Sequence, residues 1–214
     1  MRLCNFINND IFRSNFKLIS LITAVSVTTL FSLVDQTGWA AVITCPAGAA
    51  LCNGTEGDDI ITGTTDGAVI RGLGGNDYIK GDYYGFNYIY GDDGNDILIG
   101  GFQNDGLYGG NGSDRYDGLE GDDSIYEVYH QVGSFVNNDD IISGGVGNDF
   151  IISGEGSDRI EGGPGNEYIM PNGAYRDFFS DIVNCGSGND VVWAFHSGDG
   201  DTALNCETIA NLDG

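Results

Sequence analysis

An all-β fold, a right-handed parallel β-solenoid of tandem nonapeptide repeats, is predicted by three observations on this chain. The unit G-G-x-G-x-D-x-apolar-x recurs in near-constant register from residue 54 to 205, most clearly as GDDGNDILI at 91–99, GGNGSDRYD at 109–117 and GGVGNDFII at 144–152. One apolar residue per unit stays in phase across the series, which a flexible acidic linker would not do. One aspartate per unit stays in phase with it.

Each part of the unit has its own physical role. Glycine at positions one, two and four allows positive φ and close backbone approach, so the first six residues form a tight turn. The last three form a short strand that buries its central side chain. Two units make one turn of the coil, and the turns stack into two parallel sheets lying back to back.

Position eight, the interior position, runs Ile61, Ile70, Ile79, Ile89, Leu98, Leu107, Tyr116, Ile125, Ile142, Ile151, Ile160, Ile169, Val183, Val192 and Leu204. Position six carries Asp59, Asp77, Asp96, Asp105, Asp114, Asp123, Asp140, Asp149, Asp158, Asp181 and Asp190, interrupted by Ala68, Asn87, Glu167 and Thr202. A row of carboxylates offers hard oxygen donors. That set suits calcium better than magnesium, which needs a tighter octahedron, or zinc, which prefers nitrogen and sulfur.

These repeats resemble those of the RTX, or haemolysin-type, calcium-binding family, whose fold is the right-handed parallel β-roll. The resemblance covers about residues 54–205 and implies several structural Ca2+ ions held between loops stacked on one edge by position-six aspartates and loop carbonyls. It pairs Asp59 with Asp77, Asp77 with Asp96, Asp96 with Asp114 and Asp140 with Asp158 on one edge. On the other it pairs Asp105 with Asp123 and Asp149 with Glu167. Asp181 and Asp190 join the metal ligands through their own repeats. The loops carrying Ala68, Asn87, Glu167 and Thr202 depart from the family pattern.

Charge points the same way. Lys and Arg number 8 against 32 Asp and Glu, a formal charge of -24. Stacked aspartates repel by about 4 kcal/mol per close pair at intermediate dielectric, so folding is expected to depend on the ions. The same charge argues against nucleic acid and anionic membranes as partners. A repeat that has lost calcium and serves as a bare scaffold is the competing reading, which the retained aspartates oppose.

Residues 1–40 read as a signal peptide. Arg2, Arg13 and Lys17 precede an apolar run from Leu18 to Val34, and Gly38-Trp39-Ala40 supplies small residues for cleavage before Ala41. That run is at the short limit for an uncleaved membrane anchor. A secreted, extracellular or cell-surface protein is expected, in a medium where calcium modules work at about 0.1–1 mM ion. Many RTX proteins leave by a C-terminal signal instead.

Residues 41–53 and 206–214 are assigned as caps, and the mature chain is expected to be a monomer. Cys4 falls in the leader, leaving Cys45, Cys52, Cys185 and Cys206. A rod of about seven turns at roughly 4.8 Å per turn keeps its ends over about 30 Å apart. Cys45 with Cys52 and Cys185 with Cys206 are therefore the pairs that can close.

Two insertions, 127–138 and 171–179, interrupt the period and are rich in aromatics. If each counts as one unit, one outer face presents Arg71, Tyr90, Tyr108, Tyr126, Ile152, Met170 and Trp193, with Tyr88, Phe150 and Tyr168 beside them. The opposite face carries Lys80, Arg115, Asp117, Arg159 and Glu161. An apolar face of that size is expected to be covered, by the chain itself or by a glycan or protein ligand.

No enzyme is expected. H-E-x-x-H, G-x-S-x-G, P-loop and dinucleotide motifs are absent. His130 and His196 have no nucleophile beside them in sequence. Acid pairs of the kind glycosidases use are accounted for by the repeat, and the repeats leave no stretch for the separate catalytic domain of RTX-like proteases and lipases. The alternative to a calcium-binding module is an adhesion or matrix protein that grips its ligand through the aromatic face or the insertions.

Overall fold

The computed structural model describes residues 40–64, 67–127, 138–171, 178–195 and 197–211. The expected leader lies outside the described residues except for Ala40, as do most of both insertions, His130 and His196. Among the described residues, no helix is long and apolar enough to cross a membrane.

Short strands alternate between two parallel sheets. The first contains β1 (Val42–Thr44), β3 (Ile60–Thr62), β5 (Tyr78–Lys80), β7 (Ile97–Gly101), β9 (Arg115–Leu119), β11 (Ile141–Ser143), β13 (Arg159–Pro164), β15 (Ile182–Ser187) and β17 (Thr202–Leu204). The second contains β2 (Leu51–Asn53), β4 (Val69–Gly74), β6 (Tyr88–Asp93), β8 (Gly106–Asn111) and β10 (Ser124–Tyr126). It continues through β12 (Phe150–Ile152), β14 (Tyr168–Met170), β16 (Val191–Phe195) and β18 (Thr208–Asn211). Odd strands pair only with odd and even only with even, so the chain is a parallel β-solenoid as the repeat implies.

Each sheet has nine strands, more than the about seven turns expected from the repeat at this strand spacing. The difference lies at the ends. β1 and β2 fall within 41–53 and β18 within 206–214, segments set aside as caps, and all three pair with their neighbours in parallel register. Strand pairing there needs no glycine-aspartate loop, which is why the motif did not mark it.

Position eight forms the core. Each of its residues from Ile61 to Val192 is buried. Burying one such aliphatic side chain is worth about 1.5–3 kcal/mol, and stacked turns bury it on both sides. Leu204 is the exception: it is 56% exposed, while Ala203 pairs with Val183 and packs on the core. The last loop is thus one residue out of the expected register, and its position six is Asp201 rather than Thr202.

At Gly94, a position-four glycine, the turns stack too closely for any larger residue. Gly94 has φ +144°, and a Cβ there would lie 1.7 Å from the carbonyl oxygen of Gly75 in the turn below. Disulfides join Cys45 to Cys52 and Cys185 to Cys206, the expected pairs, near the two ends of the coil.

Candidate metal centre

Loops entering odd strands lie on one edge of the coil and loops entering even strands on the other. On the first edge the position-six carboxylates form a hydrogen-bonded ladder. The backbone N–H of Asp59 donates to Asp77 Oδ1 at 2.7 Å, Asp77 to Asp96 at 2.7 Å and Asp96 to Asp114 at 2.7 Å. The ladder then crosses the first insertion from Asp114 to Asp140 at 2.6 Å and continues to Asp158, Asp181 and Asp201. Sequence spacing left the Asp114–Asp140 and Asp158–Asp181 steps unassigned, because they are 26 and 23 residues rather than 18. The strand register is nevertheless kept across both extra segments, since Tyr116 pairs with Ile142 and Ile160 with Val183.

On the second edge, N–H groups of Asn87, Asp105 and Asp123 donate in turn to Asp105, Asp123 and Asp149. Glu167 donates to Asp190, and Asp190 to the Glu207 carboxylate. Each rung spends one carboxylate oxygen on the neighbouring backbone. What happens to the other oxygen separates the residues into two groups.

In Asp77, Asp96, Asp114, Asp123, Asp140, Asp149 and Asp190, Oδ2 is buried and accepts no hydrogen bond from the described residues. Leaving a buried carboxylate oxygen unpaired is costly. Around it the loop is lined with carbonyls. A Cβ built on Gly91 would lie 2.2 Å from Asp96 Oδ2 and 2.6 Å from the Gly109 carbonyl oxygen, so position-one glycine leaves open the space these oxygens surround. The observation fits a hard cation.

Asp59 and Asp105 are different. Asp59 Oδ2 accepts from Thr55 N–H at 2.5 Å, and Asp105 Oδ2 from Gly101 N–H at 2.6 Å. At the neighbouring rung the Asn87 amide donates to the Gly85 and Asp82 carbonyls and to Asp105 Oδ1, at 2.9, 3.2 and 2.9 Å. An amide there gives the loop oxygens the positively polarised partner that a cation would supply at an ion-holding rung. Ala68, with no polar side chain, is buried at its place on the same edge.

Burial raises these carboxyls well above their ordinary range. Asp114 and Asp149 rise to about 6, Asp77 and Asp96 to about 7, Asp123 to about 8. Glu167 rises to about 8, again from burial first and then from the Asp190 carboxylate beside it. Asp140 rises through burial and the Asp158 charge.

Several participants were not read from the sequence. Asp201 and Glu207 complete the two ladders at their C-terminal ends, hidden by the register error at Leu204 and by the cap assignment. A second, outer ladder runs through position five, where Asn95 N–H donates to Asn76 and Ser113 N–H to Asn95. The opposite edge repeats it with Asn148, Asn166 and Asn189. The recurrent Asn or Ser before the aspartate was its signal. Glu127, buried beside Asp114 and Asp140, was assigned to an insertion, although an acid in place of a loop glycine marked it.

The aromatic face is present as expected. Tyr90 and Tyr108 stack with ring centroids 4.6 Å apart, Tyr108 and Tyr126 at 5.3 Å, and Phe150 and Tyr168 at 5.4 Å. Arg71 lies over the Tyr90 ring. On the other sheet, Lys80, Arg115 and Glu161 lie on β5, β9 and β13, alternate strands of that sheet.

Stacked parallel turns with buried carboxylate ladders at the loops define a solenoid of the cation-binding kind. The chain belongs to the RTX calcium-binding nonapeptide repeat family, matching it in 4 copies at residues 53–82, 84–107, 108–126 and 136–168. The match supports calcium as the ion. No curated protein matches the chain.

Proposed function

We propose that the protein is a secreted, non-enzymatic calcium-binding module whose ions are structural and couple its folding to extracellular calcium. The row of buried Oδ2 atoms without hydrogen bonds, next to glycine carbonyls, carries this reading. Asp77, Asp96, Asp114 and Asp140 would hold ions on one edge, joined by Asp158 through its place in the ladder, and Asp123, Asp149 and Asp190 on the other. Asp181 belongs with the first set by its place in the ladder. Asp59 and Asp105 contribute less, because protein donors already occupy both of their oxygens.

Bound calcium supplies positive charge that offsets carboxylate repulsion between turns. The chain's own residues do the rest. The backbone N–H of each rung fixes one oxygen of the next carboxylate and so points the other inward. The aliphatic core excludes water, and the disulfides hold the end turns. Secretion is supported by the leader pattern and the paired cysteines.

Far-UV circular dichroism of the oxidised protein, titrated with calcium from a chelated start and repeated with magnesium, tests this. A cooperative gain of strand signal near millimolar calcium but not magnesium is expected. A spectrum indifferent to calcium would leave the scaffold reading.

The stacked rings favour a second role, adhesion to a glycan or protein through the even-strand face. Two stacks of parallel rings, Tyr90–Tyr108–Tyr126 and Phe150–Tyr168, meet at a 46° tilt between Tyr126 and Phe150, and such planes are the kind of surface on which sugar rings pack. Tyr108→Ala, Tyr126→Ala and Trp193→Ala should then abolish ligand retention while calcium-dependent folding persists.

A further inference from the structure

Glu127 occupies a place that glycine holds in the earlier loops of its edge. Its backbone N–H donates to the Ile152 carbonyl at 2.9 Å, as Gly54 N–H donates to Arg71 at 2.7 Å, so it stands at position one with Gly54, Gly72, Gly91 and Gly109. Side-chain atoms at position one point into the loop. A Cβ on Gly72 would lie 2.0 Å from the Asp77 carboxylate, and one on Gly109 2.1 Å from that of Asp114. An ordinary loop has no room there. The loop from Glu127 to Asp140 is longer, and Gly154 in the next turn clears space, since a Cβ on it would lie 2.7 Å from Glu127 Cγ.

The glutamate therefore brings a third carboxylate into a rung that elsewhere has two. Ligand oxygens of Asp114, Glu127 and Asp140 all lie within 4.8 Å of one another. Such a triad would be only an acidic cluster were its oxygens satisfied, and they are not. Glu127 is 3% exposed, yet its Oε1 accepts no hydrogen bond from the described residues, nor do Asp114 Oδ2 and Asp140 Oδ2. Backbone N–H groups hold Oδ1 of both aspartates, and the Tyr116 hydroxyl donates to Glu127 Oε2. Tyr116 is the one polar residue at position eight, and its hydroxyl reaches the edge only because residue 109 lacks a Cβ, which would meet it at 1.9 Å.

We propose that Asp114, Glu127 and Asp140, oriented by Tyr116, form a distinct divalent-cation site, of higher charge and affinity than the repeat's ordinary rungs. The reading rests on the ladders being calcium sites, and adds a ligand from outside the repeat consensus. Its all-oxygen donor set suits calcium rather than zinc, and affinity in such sites rises with the number of charged ligands. Tyr116 positions one glutamate oxygen and leaves the other turned toward the aspartates.

Native mass spectrometry of the full chain at stepwise lower free calcium reads the site. Wild type is expected to keep one ion after the others have left. Glu127→Gln and Glu127→Gly, the latter restoring the residue found elsewhere in the repeat, should lose that last ion, with at least a tenfold weaker tightest step and the remaining ions unchanged. Tyr116→Phe should keep the ion count and weaken the same step.

Terbium provides an independent readout. At less than one equivalent, tyrosine-sensitised emission should be strong in wild type and fall several-fold in Glu127→Gln. A folded Glu127 variant that retains the last ion, or Glu127→Gln with undiminished emission, would overturn the proposal while leaving the ordinary sites in place. Wild type that binds no calcium would instead remove the underlying reading of the ladders. Should Glu127→Gln fail to fold, Glu127→Gly decides alone, because glycine is native to that position in neighbouring turns.

Discussion

Asn87 and Asp105 face one another across one turn, the Asn87 amide donating to Asp105 Oδ1 at 2.9 Å while also binding two carbonyls of its own loop. One side chain thereby closes a rung without an ion. Replacing it with aspartate exchanges donors for an acceptor. Asn87→Asp should lower stability in chelator by about 1–3 kcal/mol, the cost of a buried polar group left unsatisfied. Added calcium should restore much of that loss. Urea denaturation in chelator and in millimolar calcium checks both.

Acid should stabilise the ion-free protein. Burial raises Asp114 and Asp149 to about 6, Asp77 and Asp96 to about 7 and Asp123 to about 8, against an ordinary value of 3.8. Folded-state values above the unfolded value mean that the folded chain holds more protons. The resulting stability is complete below about pH 4 and is lost as pH rises through 6 to 8. Denaturation midpoints in chelator should therefore fall from pH 4.5 to pH 8. Calcium should invert the trend, because it competes with those protons and releases them on binding. Proton release measured in weak buffer gives the sign directly.

Gly94→Ala should be among the most damaging single-methyl changes. Its Cβ would sit 1.7 Å from the Gly75 oxygen at a φ of +144°. Backbone strain of this type costs on the order of 1–3 kcal/mol, and a collision with a main-chain atom adds to it. Thermal unfolding in saturating calcium should show the loss, which more ion cannot repair.

Reducing the Cys185–Cys206 bridge should loosen one end. Removing a native disulfide costs about 2–5 kcal/mol in small secreted domains, and in a solenoid that cost falls on the adjacent turns. Hydrogen exchange in Cys185→Ser/Cys206→Ser should accelerate in β17 and β18, with β5 to β9 nearly unaffected.

The sequence read well wherever one local rule repeated. Ile61 to Val192 lined the core and Asp59 to Asp190 took loop positions, because glycine turns and a buried aliphatic fix the register between them. Reading failed where tertiary stacking replaced the local rule. β1, β2 and β18 pair without a motif, and Ala203 displaces Leu204 because the neighbouring strand, not the nonapeptide, sets the last register. The Asp114–Asp140 step needed three-dimensional evidence, since the added residues alter the spacing without altering which turns are neighbours. Glu127 and Tyr116 were each visible as exceptions to the consensus, but only folding brings them together.

Regular stacking also separates length from chemistry. Successive rungs such as Asp96 and Asp114 are 18 residues apart, and each touches only the turns before and after it. Excising residues 91–108 would join Tyr90 to Gly109, seat β9 on β5 and β10 on β6, and leave every remaining turn with a neighbour of the same kind. The coil is in this sense a molecular ruler, whose span can be set by whole-turn duplication or loss without inventing a new interface.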